Sequence, residues 1–297
     1  MKKKIAFVLA AVMLLSVSLF EGCAKKDSIQ LATKPMTEQF IISEIIKLLV
    51  EENTDYTVEI TKGIGGGTGN IQPAMEKGDF DMYPEYTSTA WQYVLKHDDI
   101  PDEDTLFAQL TQEYKDDYNF EWVGMYGFGD QFGLAVRKGI ADERGLQTYS
   151  DLGPVSDDLV FGAEPDFYER EDGYDNLIAT YGMNFQSTVD LDIGLKYQAI
   201  NAGEVDVIDV FTTDGQLAAA DVVVLEDDQK YFLSAYCGTV VRAEALEEYP
   251  GLQDALMLME GLINEQEMTQ MNYEVDINGR NELDVATEFL QGKGMLK

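Results

Sequence analysis

Two stretches of the chain bring aromatic rings and hydroxyls together at the end of an apolar run. The first is Gly78-Asp-Phe-Asp-Met-Tyr-Pro-Glu-Tyr-Thr-Ser-Thr89. The second starts 125 residues later and reads Gly203-Glu-Val-Asp-Val-Ile-Asp-Val-Phe-Thr-Thr-Asp214. Gly78 matches Gly203, Asp79 matches Glu204, Asp81 matches Asp206, and Tyr86 matches Phe211, with hydroxyl residues after each ring. Two halves that each place an aromatic and hydroxyls at a strand end can face each other across a cleft. Ligands of open α/β sheets gather at the carboxyl ends of strands. One such end in each half of the chain is therefore what a two-lobed binder needs. Helix, glycine, acid and strand in succession is also a common connection, so the repeat alone indicates two-lobed binding and no more.

Catalytic chemistry has little to work with. There is no G-x-S-x-G and no H-E-x-x-H, and His97, the one histidine, sits beside Asp98 and Asp99 and reads as solvated. With 55 acidic side chains, close carboxylate pairs arise by chance. The loop Gly63-Ile-Gly-Gly-Gly-Thr-Gly69 lacks the Gly-Lys-Ser/Thr ending of a phosphate loop. Its backbone N–H groups, at the start of a helix near 71–77, suit a ligand carboxylate instead. Neither a metal nor a cofactor is expected, and no residue is assigned a catalytic role.

The elements that must position these groups alternate between strand and helix. Ile29–Thr33 and Tyr56–Thr61 read as strands, with a helix from Thr37 between them carrying Phe40, Ile41, Ile45, Leu48 and Leu49 at helical spacing. Ala90–Leu95 continues as helix, 100–120 is polar and helical, and Glu121–Val136 reads as strands close to a cleft. Further strands are expected at Leu159–Ala163, Val205–Val210, Val222–Leu225 and Phe232–Val241. Glu164–Arg170 reads as a polar-aromatic loop, Asp190–Ala202 as an amphipathic helix, and 243–297 as largely helical. The pattern predicts an α/β protein with two lobes and a cleft between them. The chain crosses between lobes twice, giving a discontinuous first lobe (29–135 and 238–297) and a second lobe (136–237).

The amino terminus carries Met1-Lys-Lys-Lys and an apolar run from Ile5 to Leu15, which reads as a secretory signal over 1–22. Leu19-Phe-Glu-Gly-Cys23 resembles a bacterial lipobox, with Phe20 and Glu21 departing from the usual pattern. Cys23 is then the expected lipid-attachment site, 23–28 a tether, and the lipid anchor the only membrane contact. Cys237 is left without a disulfide partner and reads as a small buried hydrophobe. A net charge of −34 excludes nucleic acid as a partner and is compatible with a cationic ligand.

Tyr86-Thr-Ser-Thr-Ala, Tyr126-Gly-Phe, Asp172-Gly-Tyr174, Phe211-Thr-Thr-Asp-Gly215, Tyr236-Cys and Asn272-Tyr-Glu-Val275 occur in that order. The series resembles the substrate-binding proteins of quaternary-amine ABC importers, the glycine betaine, carnitine and choline group, from about Ile29 to the carboxyl end. The resemblance implies a periplasmic-binding-protein type II fold, an extracytoplasmic monomer, and delivery of ligand to a membrane permease with its ATPase. It implies an aromatic cage of Tyr86, Phe132, Phe211 and Tyr236 around a trimethylammonium group, with Thr89 and Arg170 at positions that can hold a carboxylate. Phe132 and Phe211 stand where these proteins usually carry Tyr, which keeps the ring face and loses the hydroxyl. Glu85 is open to two readings, a carboxylate facing a ligand with extra positive charge or N–H donors, and a lobe-surface residue. An ergothioneine-like betaine is open beside glycine betaine, choline and carnitine. Two other classes are a receptor for an amino acid or other polar solute on the same fold, and an exported hydrolase using acids such as Glu85 and Asp166.

Overall fold

The computed structural model describes residues 28–98, 101–232 and 234–296. The expected signal, Cys23 and nearly all of the tether lie outside the described residues. In chain order the strands are β1 (Ser28–Ala32), β2 (Thr57–Thr61), β3 (Met82–Tyr86), β4 (Phe120–Gly129), β5 (Phe132–Arg137), β6 (Val160–Ala163), β7 (Ser187–Asp190), β8 (Val207–Phe211), β9 (Val222–Val224) and β10 (Tyr236–Arg242). Helices that bear on the site are α1 (Thr37–Asn53), α2 (Thr68–Glu76), α3 (Pro165–Glu169), α4 (Lys196–Ala202), α5 (Glu265–Asp276) and α6 (Glu282–Gly292).

The strands form two mixed sheets of five, in the orders β2-β1-β3-β10-β4 and β7-β6-β8-β5-β9. In each sheet three parallel strands meet one antiparallel strand contributed from across the crossing: β10 beside β3, and β5 beside β8. The two sheets therefore repeat one plan. The sequence repeat marks the same point in both. Asp81 accepts from the Arg242 guanidinium at 2.7 Å and from the Gln30 N–H at 2.8 Å. Asp206 likewise accepts from the Arg137 guanidinium and from the Val160 N–H, the latter at 2.9 Å. Gly78 and Gly203, at φ +77° and +74°, make the left-handed turns that lead into these strands.

The first lobe's core is built by α1 against its sheet. Ile41, Ile42, Ile45, Ile46, Leu49 and Val50 are all buried, while Phe40 and Leu48 are only half-buried. The buried stripe lies a residue round from the expected one because α1 is covered by α6 and α5 as well as by the sheet. A separate cluster of Leu134, Val136, Phe161, Phe167, Leu177 and Val207 fills one face of the second sheet.

Several sequence expectations need correction. The first crossing falls at Asp130–Gln131, so residues 132–135, expected in the first lobe, belong to the second sheet. The apolar stretch 121–136 reads as one strand region because only these two polar residues interrupt it. The return comes just before Tyr236, so Tyr236 and Cys237, expected in the second lobe, are strand residues of the first sheet. Asp190–Ala202 is not one helix: β7 ends at Asp190, and a turn in which the Gly194 N–H donates to Asp192 precedes α4. Glu164–Arg170 is not a loop but carries α3, with Pro165 at its first position. His97 stacks on Trp91 at 3.9 Å between ring centroids and bonds Glu113 at 2.8 Å, so it is a packed side chain.

Candidate ligand-binding cleft

The carboxyl ends of the parallel strands of both sheets converge on one cavity of about 630 Å³. The first lobe contributes Lys34 after β1, the glycine loop 65–69 at the start of α2, and Tyr93. Across from them stand Glu164, Asp166, Glu169 and Arg170 after β6, Asp192 after β7, and Phe211 at the end of β8. Tyr93 arrives there on Thr89–Val94, a single wide helical turn after β3 in which the Leu95 N–H reaches back to Ala90. Such wide turns are frequent at functional sites. Thr89 is buried at its start.

Phe132 and Phe211 meet because β5 and β8 pair with these two residues opposite each other, their ring centroids 4.8 Å apart. Phe167 and Phe232 close on Phe132 from 5.1 and 5.8 Å. The Arg170 guanidinium lies 5.3 Å from the Phe132 ring centre and 5.1 Å from that of Tyr93, bridging the lobes. Asp172 holds Arg170 with both carboxylate oxygens. Burial works against the Arg170 charge, but Asp172, Asp166 and Glu85 together raise the pKa.

The other two expected cage rings sit differently. Tyr86 is buried, its hydroxyl donating to Glu38 at 2.5 Å and accepting from the Gln39 amide at 3.2 Å. Across β3 and β10 it pairs with Cys237, which occupies the place in the first lobe that Phe132 holds in the second. Tyr236 is one residue displaced from that place, and successive strand residues point to opposite faces. It lines two neighbouring cavities, of about 500 and 240 Å³, and is absent from the wall of the 630 Å³ cleft, as are Tyr86, Glu85, Thr89 and Phe132; of the expected contacts only Arg170 and Phe211 line that wall. Cys237 itself is buried as expected.

Glu85 is fully buried, which removes the lobe-surface reading. Its carboxylate pairs with Lys34 and accepts from the Thr68 hydroxyl at 2.6 Å. Lys34 also stands 4.7 Å over the Tyr86 ring. A matching arrangement underlies Phe211: buried Lys196 lies 5.0 Å from that ring and joins Asp209 at 2.8 Å and Glu164 at 2.9 Å. Burial alone would lower the Lys196 pKa, but the two carboxylates raise it and hold the lysine charged.

Sequence reasoning missed Lys34, Tyr93, Lys196 and Glu38. Only Lys34, one residue past the first strand and beside the glycine loop, carried a usable positional signal. Glu38 joins three elements. On α1, it accepts from Tyr86, from the Thr213 hydroxyl at 2.5 Å and from the Asn272 amide of α5 at 3.2 Å. Burial, together with nearby Asp214, raises its pKa to about 7 against the opposing effect of those three donors. Asp130 at the first crossing accepts from the Thr213 N–H at 3.2 Å, and burial pushes its carboxyl well above the ordinary range.

Two repeated α/β lobes, two crossings and a polar-aromatic cleft between them define a two-lobed solute-binding protein of the periplasmic type II class. Residues 27–292 match the family described as the substrate binding domain of ABC-type glycine betaine transport systems, and the chain belongs to that family. Its members bind solutes for ABC importers and are not enzymes. Over 89% of its length the chain is 39% identical to the ergothioneine transport permease/ergothioneine binding protein EgtU of Helicobacter pylori, but it spans only 47% of that relative. It is 32% identical to the carnitine transport binding protein OpuCC of Listeria monocytogenes, over 98% of this chain and 97% of the relative. A solved glycine betaine/carnitine/choline ABC transporter structure superposes with a TM-score of 0.71 at 30% identity, covering 91% of this chain and all of that one. Among the described residues no helix is long and apolar enough to cross a membrane.

Proposed function

We propose that the protein captures a betaine, a quaternary ammonium joined to a carboxylate, in the 630 Å³ cleft and delivers it to an ABC importer. The observation that carries this is the Phe132–Phe211 pair in the second lobe, with Phe211 on the cleft wall and Arg170 over the Phe132 ring. A quaternary ammonium has no N–H to donate, so ring faces are its natural partners, each contact contributing roughly 0.5–2 kcal/mol when desolvated. Tyr86, Phe132, Phe211 and Tyr236 supply the rings, Thr89 and Arg170 the carboxylate contacts. Glu85 acts through Lys34. Because Tyr86, Thr89, Phe132 and Tyr236 all lie off the cleft wall, their part in the site requires the lobes to move about the two crossings as ligand enters. Ergothioneine is the first ligand to test, with carnitine and glycine betaine next, given the names of the relatives above. The partners are a membrane permease and its ATPase. Lipidation at Cys23 holds the monomeric binding protein at the outer face of the membrane.

The test is calorimetric titration of residues 24–297 with ergothioneine, carnitine, glycine betaine and choline. Micromolar or tighter binding of at least one is expected; a folded protein that binds none of them would refute the reading. Replacing Cys23 with Ser in the full chain should release the protein from the membrane fraction, and unchanged membrane association would remove the anchor.

A further inference from the structure

The carboxylate of Glu38 stands where the two lobes and a ring of the expected cage meet. From the first lobe Tyr86 donates to one of its oxygens at 2.5 Å, and Thr213, two residues past Phe211 in the second lobe, donates to the other at 2.5 Å. Asn272 of α5 donates to Glu38 and, at 2.9 Å, to the Thr213 carbonyl. The close approach is built in: a Cβ on Gly215 would fall 2.4 Å from the Tyr273 backbone nitrogen.

We propose that Glu38 is a positioning residue for the binding site, a latch whose single carboxylate couples the orientation of the Tyr86 ring to the contact between lobes at Thr213. The proposal rests on the reading of Tyr86 as a ligand-facing ring.

An ionised carboxylate accepts from all three donors at once. A protonated one carries its own hydrogen, so one arm must turn away or lose its bond. Burial, the largest influence, and Asp214 disfavour the charge, the three donors favour it, and the pKa is pushed up to about 7. The charged and titratable groups facing it are Asp214 after β8, Asp130 between β4 and β5, Tyr86 on β3 and Cys237 on β10. Lys34 lies over the far side of Tyr86, and Lys196 acts on Asp214. Solvent has a route in, since Glu38 also lines a cavity of about 210 Å³ with Asp192, Asp214 and Asp276. Lower pH therefore loosens the latch and weakens binding.

The experiment measures glycine betaine and ergothioneine affinity at pH 6 and pH 8 for the wild type and for Glu38→Gln, Tyr86→Phe, Thr213→Val and the Tyr86→Phe/Thr213→Val pair. Wild-type affinity should fall about three- to tenfold from pH 8 to pH 6 through release of one proton's worth of linkage. The Glu38→Gln variant should lose most of that dependence, and the paired substitutions should be non-additive. An unchanged pH slope in Glu38→Gln, or strict additivity, overturns the latch. If the wild type binds neither probe, the functional reading fails separately, and the latch is judged by the same double-mutant cycle on urea unfolding of the free protein. There, additivity overturns it and coupling upholds it.

Discussion

Phe132 and Phe211 face each other directly across two antiparallel strands, ring centroids 4.8 Å apart, one just after the first crossing and the other at the end of the repeat strand. Residues 79 positions apart in sequence thus form one apolar surface, held by backbone pairing rather than by a mobile loop. Removing either ring should weaken betaine binding about three- to thirtyfold, one cation–π contact's worth. Phe211→Tyr should retain affinity, since it keeps the ring face. Calorimetry on Phe132→Ala, Phe211→Ala and Phe211→Tyr checks this, and unchanged affinity in both alanine variants would place the ligand elsewhere.

In the proposed site Arg170 should discriminate between ligands with and without a carboxylate. Its planar fork meets both oxygens of Asp172, a geometry that lysine cannot reproduce. Arg170→Lys should lower affinity for carboxylate-bearing betaines on the order of tenfold or more, the worth of a charged hydrogen bond. Choline has no carboxylate and should be affected far less. Equal losses for choline and glycine betaine would point to a structural role for Arg170.

Lys196 is a stability residue beneath the site. It is buried with Asp209, which is fully buried, and with Glu164, which is nearly buried and reaches the cleft wall. Lys196→Met leaves two buried carboxylates without their cation and should cost about 3–5 kcal/mol in urea unfolding. A loss below about 1 kcal/mol, the range of exposed ion pairs, would show that the pair is hydrated.

Stability should also depend on pH through Glu38. Its folded value of about 7 lies above the ordinary 4.5, so the native state holds this proton more tightly than the unfolded chain does. The contribution is full below about pH 4.5 and is lost as pH rises through 7, on the order of 3 kcal/mol in all. Burial raises Asp130 and Asp214 in the same direction. Wild type minus Glu38→Gln stability should therefore shrink between pH 5 and pH 8. A difference that grows with pH would mean that the three donors outweigh burial and that Glu38 stays ionised.

Much of this architecture is local information. The alternation of apolar runs with helical spacing, the two glycines at left-handed turns and the acid after each are properties of short segments, so the two-lobed α/β plan and its repeat were readable in order along the chain. Asp81 and Asp206 show how far that reaches: equal sequence positions find equal partners in Arg242 and Arg137. What the tertiary structure decided is register and burial. Whether Tyr236 or Cys237 stands opposite Tyr86 depends on a single-residue choice in strand pairing, and either choice leaves an apolar strand. The partners of Glu38 come from β3, the loop after β8 and α5, up to 234 residues away. Among 55 acids, nothing in its local sequence distinguishes it. A carboxylate's role is set by the donors that reach it and by its burial, and both are assembled only from distant segments in the folded chain.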